Sequence, residues 1–433
     1  MNKMLVVGFL LVFLIIAMMP YESQAVPSYA RQVKKPCTAC HTIWPNLNQA
    51  GRQFKVKAYT DVSEEWEVIT KDNLNMVTTL PVSARVLFFP ETREDNNATK
   101  FHQSSTTVDS VALFVASRAT EYSGLFGSAE WSPDDDGWHL PTVKLAFQYP
   151  LGEGNTIGLV GFKGLSSAAD PFNSLGGRDR DLSWGDESTP YVLTSGWTFD
   201  FFSEGNVGTV LHGYFLGNRL YAAVGAMRGG LAADASAGAL VNSASTVSDT
   251  DPYDAYSRIA WDQKLSNGAI TFGAAYYSGK QRILDPTFAP LYDSKVNRTF
   301  VDVSLEQNYG EDHIVEVQAL YGNGKDANVF GGGEDRKFDG YYVQGSYFYD
   351  RTYGLVASMN TIKFKDAQAS DNAVSSSVFG KDKVDSWIVG LDYLPRLNTK
   401  FALQYVTTHT TFVSQVQPDQ TDTITRLVMD VAF

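Results

Sequence analysis

Strict alternation of apolar and polar residues, repeated along most of the 433 residues, is the feature that most constrains this chain. In one such segment Val301 and Val303 fall on one face, and Asp302 and Glu306 fall on the other. A period of two is the signature of a β-strand with one apolar face. Beyond residue 60 there is no long apolar run and little helical periodicity. The sequence therefore predicts an all-β protein.

Three further features favour a membrane barrel over a soluble sandwich, which shows the same alternation. Very short turns alternate with long loops rich in Gly, Asp and Ser, which is the asymmetry of outer-membrane barrels. Tyrosines and phenylalanines cluster near segment ends, as at 340–354, where aromatic girdles meet the membrane interfaces. The last segment alternates up to a terminal aromatic, Phe433, an ending that outer-membrane barrels share. The short turns are predicted at 151–155, 215–218, 266–268, 309–312 and 395–398.

Counting strands gives sixteen, and an even number puts both ends of the barrel on the short-turn, periplasmic side. We therefore predict an outer-membrane, porin-like β-barrel, wide enough to hold an aqueous channel unless something fills it. The longest connection, 165–205, contains an apolar piece that would give two extra strands; we predict a loop folded into the lumen instead. The strands are placed near 76–89, 108–119, 121–131, 140–150, 155–164, 206–216, 219–228, 253–264, 268–281, 297–308, 312–324, 337–349, 352–365, 382–393, 398–412 and 421–433.

The N-terminus is typical of a secretory signal peptide. Lys3 precedes an unbroken apolar run from Met4 to Met19, and small residues allow cleavage after Ala25. A retained membrane anchor is the alternative, but the run is shorter than the roughly 20 residues that a spanning helix needs. The predicted organisation is a signal peptide at 1–25, a cytochrome segment at 26–75 and the barrel at 76–433.

Cys37 and Cys40 are the only cysteines of the chain, and His41 follows at once. In an exported protein two cysteines could form a disulfide, but this spacing followed by histidine is the attachment pattern of haem c. A thioredoxin-like site would need a βαβ context, which is absent from the sequence pattern. Zinc would need two further ligands nearby, and no other Cys or His occurs before His102. We predict one covalent haem c, held by Cys37 and Cys40, with His41 as an axial iron ligand.

The sixth iron ligand is left open by the sequence. A methionine ligand would raise the reduction potential, and Met76 is the nearest methionine downstream of the motif. Met76 reads equally well as an apolar residue that opens a strand. The other candidates are Met227, Met359, Met429, His102, His139, His212, His313 and His409.

Charge is divided unevenly between the two predicted parts. Residues 26–60 contain six lysines and arginines and no acid, whereas the whole chain has a formal net charge of −13. This contrast favours docking of the basic segment in or under the mouth of an acidic barrel, although the charges could simply be solvated faces. The acidity also argues against a nucleic-acid partner.

The segment around the cysteines contains several further short motifs. They are Ala30-Arg31-Gln32, Cys37 to His41, Pro45-x-Leu47, and Gly51-Arg52-x-Phe54-Lys55 before Tyr59. In this series the segment resembles the start of the fused monohaem cytochrome-porins of iron-oxidising bacteria. Val33-Lys34 and Ala58 depart from the family pattern. Residues 208–230 separately resemble a strand-turn-strand unit of phosphate-selective-type porins.

The resemblance implies a one-electron oxidoreductase, a ferrous-iron oxidase of the bacterial outer membrane. Extracellular Fe(II) would be the electron donor and a periplasmic cytochrome c or similar carrier the acceptor, with the haem on the periplasmic side or inside the lumen. The alternative is a solute-conducting porin whose haem is structural or serves another donor or acceptor; outward electron flow also stays open. Loop acids that could collect Fe(II), or could be ordinary solvated acids, are Asp134, Asp135, Asp136, Asp179, Asp181, Asp186 and Glu187.

Overall fold

The structure is a computed structural model that describes most of the chain from Pro27 to Phe433. The predicted signal peptide, the connection at 165–205 and the acid run at 134–136 lie outside the described residues. The described ranges are 27–43, 46–60, 68–71, 74–77, 80–95, 101–133, 137–164, 207–228, 246–248, 254–284, 290–327, 335–365, 381–396, 398–412 and 419–433.

Sixteen antiparallel strands form a closed barrel, which confirms the predicted fold class. Pairing of β19 with β3 joins the two ends of the wall, and pairing of β9 with β11 completes the circle. The barrel strands are β3 (Val82–Asp95), β4 (Phe101–Thr120), β5 (Ser123–Trp131), β6 (His139–Gly152), β7 (Asn155–Lys163), β8 (Val207–Phe215), β9 (Leu220–Arg228), β11 (Asp254–Leu265), β12 (Gly268–Leu284), β13 (Pro290–Tyr309), β14 (His313–Ala327), β15 (Asp335–Tyr349), β16 (Tyr353–Lys365), β17 (Lys381–Arg396), β18 (Thr399–Phe412) and β19 (Gln420–Ala432).

The remaining elements lie before the barrel or at its rim. Helix α1 spans Pro27–Val33, a 3-10 turn spans Cys37–Ala39, and helix α2 spans Gln49–Val56. β1 (Val68–Lys71) and β2 (Leu74–Val77) form a separate hairpin, and β10 (Thr246–Ser248) extends the edge of β12. No helix among the described residues is long and apolar enough to cross a membrane.

The predicted strands match the barrel strands one for one, and their bounds differ most at β3, β4 and β13. β4 and β13 each begin seven residues earlier than predicted. The first strand was placed near 76–89, whereas β3 begins at Val82 and ends at Asp95, so the whole strand is displaced by six residues. Residues 74–77 pair with 68–71 in the β1–β2 hairpin, so their backbone groups are used there and not in the barrel wall.

The two ends of the barrel differ as the turn pattern predicts. Short turns join β4 to β5, β6 to β7, β8 to β9, β11 to β12, β13 to β14, β15 to β16 and β17 to β18, all at one end. We call this the short-turn end. β3 starts at this end and β19 ends at it. Ala84 and Phe433 exchange two backbone hydrogen bonds there.

The two faces of the wall differ in polarity, as the alternation predicts. Val301 is 50% exposed on the outer face, while Asp302 and Glu306 are buried on the inner face. The outer face is a belt of exposed apolar side chains, with tyrosines such as Tyr349, Tyr353 and Tyr393 near the short-turn end. An apolar band flanked by aromatic residues is the lipid-facing surface of a membrane barrel.

Candidate functional site

The N-terminal segment lies inside the lumen of the barrel. We call its described residues, 27–43 and 46–60, the plug. On α1, the Gln32 side chain donates a hydrogen bond to the Ala116 carbonyl at 2.8 Å, and the Tyr29 hydroxyl donates to the Leu125 carbonyl at 2.9 Å. Arg31 donates to the Val82 carbonyl at 2.6 Å. α1 is therefore fastened to β3, β4 and β5.

The cysteine motif forms a single tight turn. The Cys40 and His41 amides both donate to the Cys37 carbonyl, at 3.1 and 2.9 Å. Both thiols are free of a disulfide, and Cys37 is buried while Cys40 is partly exposed. Burial raises the pKa of the Cys40 thiol, an effect that Lys35 partly offsets. The turn thus presents two thiols and one imidazole within five consecutive residues.

Helix α2 holds this turn at very close range. The Asn48 side chain caps α2 by accepting from the Gly51 amide at 2.9 Å, and it donates to the Thr38 and Ala39 carbonyls. A Cβ added at Gly51 would lie 2.1 Å from the Cys40 carbonyl oxygen. Only glycine allows this approach without displacement of the backbone.

The inner wall surrounds Cys37 with apolar side chains. Ile43 of the plug and residues of β14 to β19 form one buried cluster with it. Its wall members are Ile314, Phe348, Val356, Ile388, Leu394, Val406, Ile424 and Ala432. The donor set and this apolar surface fit a covalent haem c: two thiols for the thioether bonds, an adjacent imidazole for the iron, and low polarity beside one attachment point.

Arg52 ties α2 to the opposite part of the wall. Its guanidinium lies 3.1 Å from the Asp262 carboxylate and 3.2 Å from the Glu306 carboxylate, and all three side chains are buried. Thr42 and the Gln49 amide also donate to Glu306, each at 3.0 Å. Burial alone would lower the pKa of Arg52, but the two carboxylates outweigh it and raise that pKa.

The tail of the plug is fastened to β5 and β6. The Ala58 carbonyl oxygen would lie 2.1 Å from a Cβ added at Gly124. Gln148 donates to the Thr60 hydroxyl at 3.0 Å, and the Lys144 amine lies 4.9 Å from the centre of the Tyr59 ring. Burial raises the pKa of Tyr59.

Few of the proposed sixth ligands face the lumen. His212 and Met227 lie on the inner face and are buried. Met359, Met429, His313 and His409 occupy outward-facing positions of their strands, and His139 lies at the start of β6. For Met76, in β2, and His102, in β4, the structure describes the strand position and not the side chain.

The acids proposed to collect Fe(II) all lie outside the described residues. Within the part of the chain that the structure describes, no group of three His, Cys, Asp or Glu residues is arranged to hold a metal ion. The carboxylates of Asp262 and Glu306 are close together, but Arg52 occupies them.

Sequence reasoning missed the contact of Arg52 with Asp262 and Glu306. Glu306 was placed on the polar face of its strand, and Arg52 was recognised as part of a motif, but nothing linked the two. A signal was present in the alternation itself: once a segment fills the lumen, a carboxylate at an inward position is buried and needs a cation facing it.

Comparisons with known proteins support the barrel. The family model "Phosphate-selective porin O and P" matches residues 313–433. The outer membrane channel DcaP of Acinetobacter baumannii aligns with a TM-score of 0.53 at 12% identity, over 81% of this chain and 97% of that one. An anion-selective porin from Comamonas acidovorans aligns with a TM-score of 0.52 at 12% identity, over 81% of this chain and 99% of that one. The fold is that of a porin.

These likenesses concern the fold and do not extend to the plug chemistry. No curated protein matches the chain. The matched region of the porin model begins well after the plug and does not include 208–230, the unit that resembled such porins in the sequence. The descriptions of the porin family and of these two channels name neither haem nor iron.

Proposed function

We propose that this protein is an outer-membrane cytochrome-porin that oxidises extracellular Fe(II). Single electrons would pass through a covalent haem c to a periplasmic cytochrome c or similar carrier. The observation that carries the proposal is the position of the Cys37–His41 turn inside a closed barrel. A redox group held there would be enclosed by the barrel wall, and the barrel would carry it into a membrane that no soluble cytochrome crosses.

The outer membrane is the location that the surface of the barrel supports. An exposed apolar belt with tyrosines at the short-turn end suits a lipid bilayer, and the short-turn end is then the periplasmic end. Cys37 shares its cluster with Leu394, which lies beside the β17–β18 turn. In this proposal the attachment turn would lie nearer the periplasmic end, where a soluble acceptor could approach.

The residues of the plug have separable roles in this proposal. Cys37 and Cys40 would hold the haem covalently, and His41 would bind its iron. When bound, the haem supplies a centre that exchanges one electron at a time, which matches the single electron that Fe(II) gives. Gly51 and Asn48 fix the backbone of the turn, and the apolar cluster keeps water away from Cys37. Limited water access is one way in which a protein sets a reduction potential.

A solute-conducting porin, with a haem that is structural or serves another redox partner, is the second candidate. The porin family model and the two channel structures favour it, because each of those proteins is named as a porin or a channel. The plug bears on this alternative: it spans the lumen from β3 to β13 and is held there by buried ion pairs. A conducting channel would need a path around it.

Two measurements on the purified, air-oxidised protein test the proposal. A pyridine haemochrome assay measures covalent haem, and anaerobic stopped-flow mixing with Fe(II) follows the reduced haem band. Rapid reduction at neutral pH supports a ferrous-iron oxidase. Reduction by dithionite but not by Fe(II) would reject the Fe(II) proposal and leave a haem-bearing porin. Absence of haem, together with ion conductance in planar bilayers, would leave a porin alone.

A further inference from the structure

Seven lysines form a band on the outer face of the barrel, toward the end opposite the short turns. Each of the six neighbouring strands β12 to β17 contributes at least one of them, always at an outward-facing position. The side chains of Lys325, Lys365 and Lys383 are 45%, 53% and 42% exposed. We call this set the lysine band: Lys280, Lys295, Lys325, Lys337, Lys363, Lys365 and Lys383.

The lysine band lies just beyond the apolar belt. Tyr349 marks the lower edge of the belt on β15, and Tyr341 lies on the same face eight residues away, directly opposite Tyr321 of β14. Eight residues of a tilted strand rise about 20 Å along a barrel axis, which is close to the height of a lipid-facing apolar band. Lys325 and Lys337 are four residues further along than Tyr321 and Tyr341. They therefore lie at the level of lipid headgroups.

The strand register places lysine directly opposite lysine in four places. The opposed pairs are Lys280–Lys295, Lys325–Lys337, Lys337–Lys365 and Lys363–Lys383. The Cβ atoms of directly opposed residues in a sheet lie about 5 Å apart, and like charges at such positions are destabilising. The band therefore costs the barrel stability unless an anion compensates its charge.

Aspartates on the same face compensate only part of this charge. Three exposed or half-exposed ion pairs are formed: Lys325–Asp335, Lys365–Asp339 and Lys383–Asp385. Among the described outward-facing side chains of β12 to β17 beyond the tyrosines, seven lysines and three aspartates give a formal net charge of +4. The whole chain has a formal net charge of −13. An acidic protein thus presents a basic band to its lipid surroundings.

We propose that the lysine band binds the phosphate groups of anionic lipids in the outer leaflet of the outer membrane. Ammonium groups bind phosphate oxygens through charge-assisted hydrogen bonds, and clustered basic residues at a membrane surface attract anionic lipids. A lipid phosphate is anchored at the depth where the band lies. The band faces away from the lumen, so it is separate from any path of a solute through the barrel.

The lipid surface goes beyond the proposed function and shares only the membrane location with it. The short-turn end is periplasmic in that location, so the lysine band lies in the outer leaflet. Its lysines point outward, whereas the plug with Cys37, Cys40 and His41 lies inside the barrel. Binding of lipid therefore requires neither haem nor Fe(II).

The test is a titration of diphosphoryl lipid A, a lipid with two phosphate groups, into the full-length, detergent-solubilised protein. Native mass spectrometry measures bound lipid, and heat-dependent migration in electrophoresis verifies that each barrel is folded. The unaltered protein is compared with Lys325→Gln/Lys337→Gln/Lys365→Gln and with the charge-conserving variant Lys325→Arg/Lys337→Arg/Lys365→Arg. The matched control, Lys34→Gln/Lys35→Gln/Lys264→Gln, removes three exposed lysines outside the band.

The glutamine variant of the band should bind lipid A about tenfold more weakly or worse, because three charges at the headgroup level are lost. The arginine variant and the matched control should bind it like the unaltered protein. Equal affinity of all four proteins would overturn the proposal. Displacement of lipid A by an equal concentration of inorganic phosphate would also overturn it, since the band would then bind free anions. A lack of haem would reject the proposed function and leave this titration valid.

Discussion

The Arg52 guanidinium of the plug lies 3.1 Å from the Asp262 carboxylate of β11, and both side chains are essentially inaccessible to solvent. Glu306 of β13 shares the same guanidinium at 3.2 Å. This three-residue cluster joins the segment that carries the cysteine motif to the far side of the barrel wall. The position of that segment in the lumen therefore depends on a buried ionic contact.

Replacement of Arg52 by Met should loosen the plug. Two buried carboxylates would lose their cation, and breaking a buried ion pair by removing one partner typically costs about 3–5 kcal/mol. Urea unfolding followed by tryptophan fluorescence measures the loss, and limited proteolysis shows whether the plug leaves the lumen. Planar-bilayer recordings should show higher ion conductance for this variant than for the unaltered protein.

The control for Arg52→Met is the triple variant Arg52→Met/Asp262→Asn/Glu306→Gln. It removes the unpaired charges as well as the cation, so most of the lost stability should return. Equal stability of the unaltered protein and Arg52→Met would contradict the anchoring role.

Gly124→Ala should displace the tail of the plug from β5. The new methyl group would meet the Ala58 carbonyl oxygen at 2.1 Å, and such overpacking typically costs about 1–3 kcal/mol. Gly127→Ala on the same strand is the matched control, since its nearest neighbour would be 3.7 Å away. Urea titrations of the two variants should differ; equal midpoints would show that Ala58 is not held against the wall.

Gly51→Ala should impair haem attachment without disturbing the barrel. Its methyl group would lie 2.1 Å from the Cys40 carbonyl oxygen and would push α2 away from the cysteine turn. We expect less haem per folded barrel or a shifted midpoint potential, measured by haemochrome absorbance and redox titration. Gly161→Ala, where the added atom meets nothing within 4 Å, should behave like the unaltered protein.

Alkaline pH should destabilise the plug through its buried tyrosines. Burial raises the pKa of Tyr59 above its ordinary value, and burial together with Tyr59 does the same for Tyr29. A raised phenol pKa means that the contribution is full below about pH 10 and is lost as pH rises from there. Tyr59→Phe should flatten this loss in urea titrations between about pH 8 and 11, whereas Tyr353→Phe, an exposed tyrosine, should not.

The barrel could be predicted from the sequence because its physics is local. A strand between lipid and lumen must alternate apolar and polar side chains along its whole length, and residues 297–324 show this pattern clearly. The offset at Val82 arose where a short apolar strand, Leu74–Val77, pairs outside the barrel; its alternation alone does not distinguish the two uses.

The interior was far less predictable, because its contacts join residues distant in sequence. Arg52 and Glu306 are separated by more than 250 positions, and no local pattern pairs them. The cysteine motif was recognisable because five consecutive residues carry its chemistry. Lys144, whose amine contacts the Tyr59 ring, gave no sequence signal, because it is a single polar residue on an alternating strand.

The most direct test of electron transfer through the plug uses vesicles that contain the full-length protein. Soluble cytochrome c is trapped inside one preparation and the Fe(II) chelator ferrozine inside another, and Fe(II) is added outside without oxygen. The account predicts reduction of the trapped cytochrome c, no ferrozine colour, and loss of that reduction in the Cys37→Ser/Cys40→Ser variant. Ferrozine colour without cysteine-dependent reduction of cytochrome c would contradict it and identify an open channel.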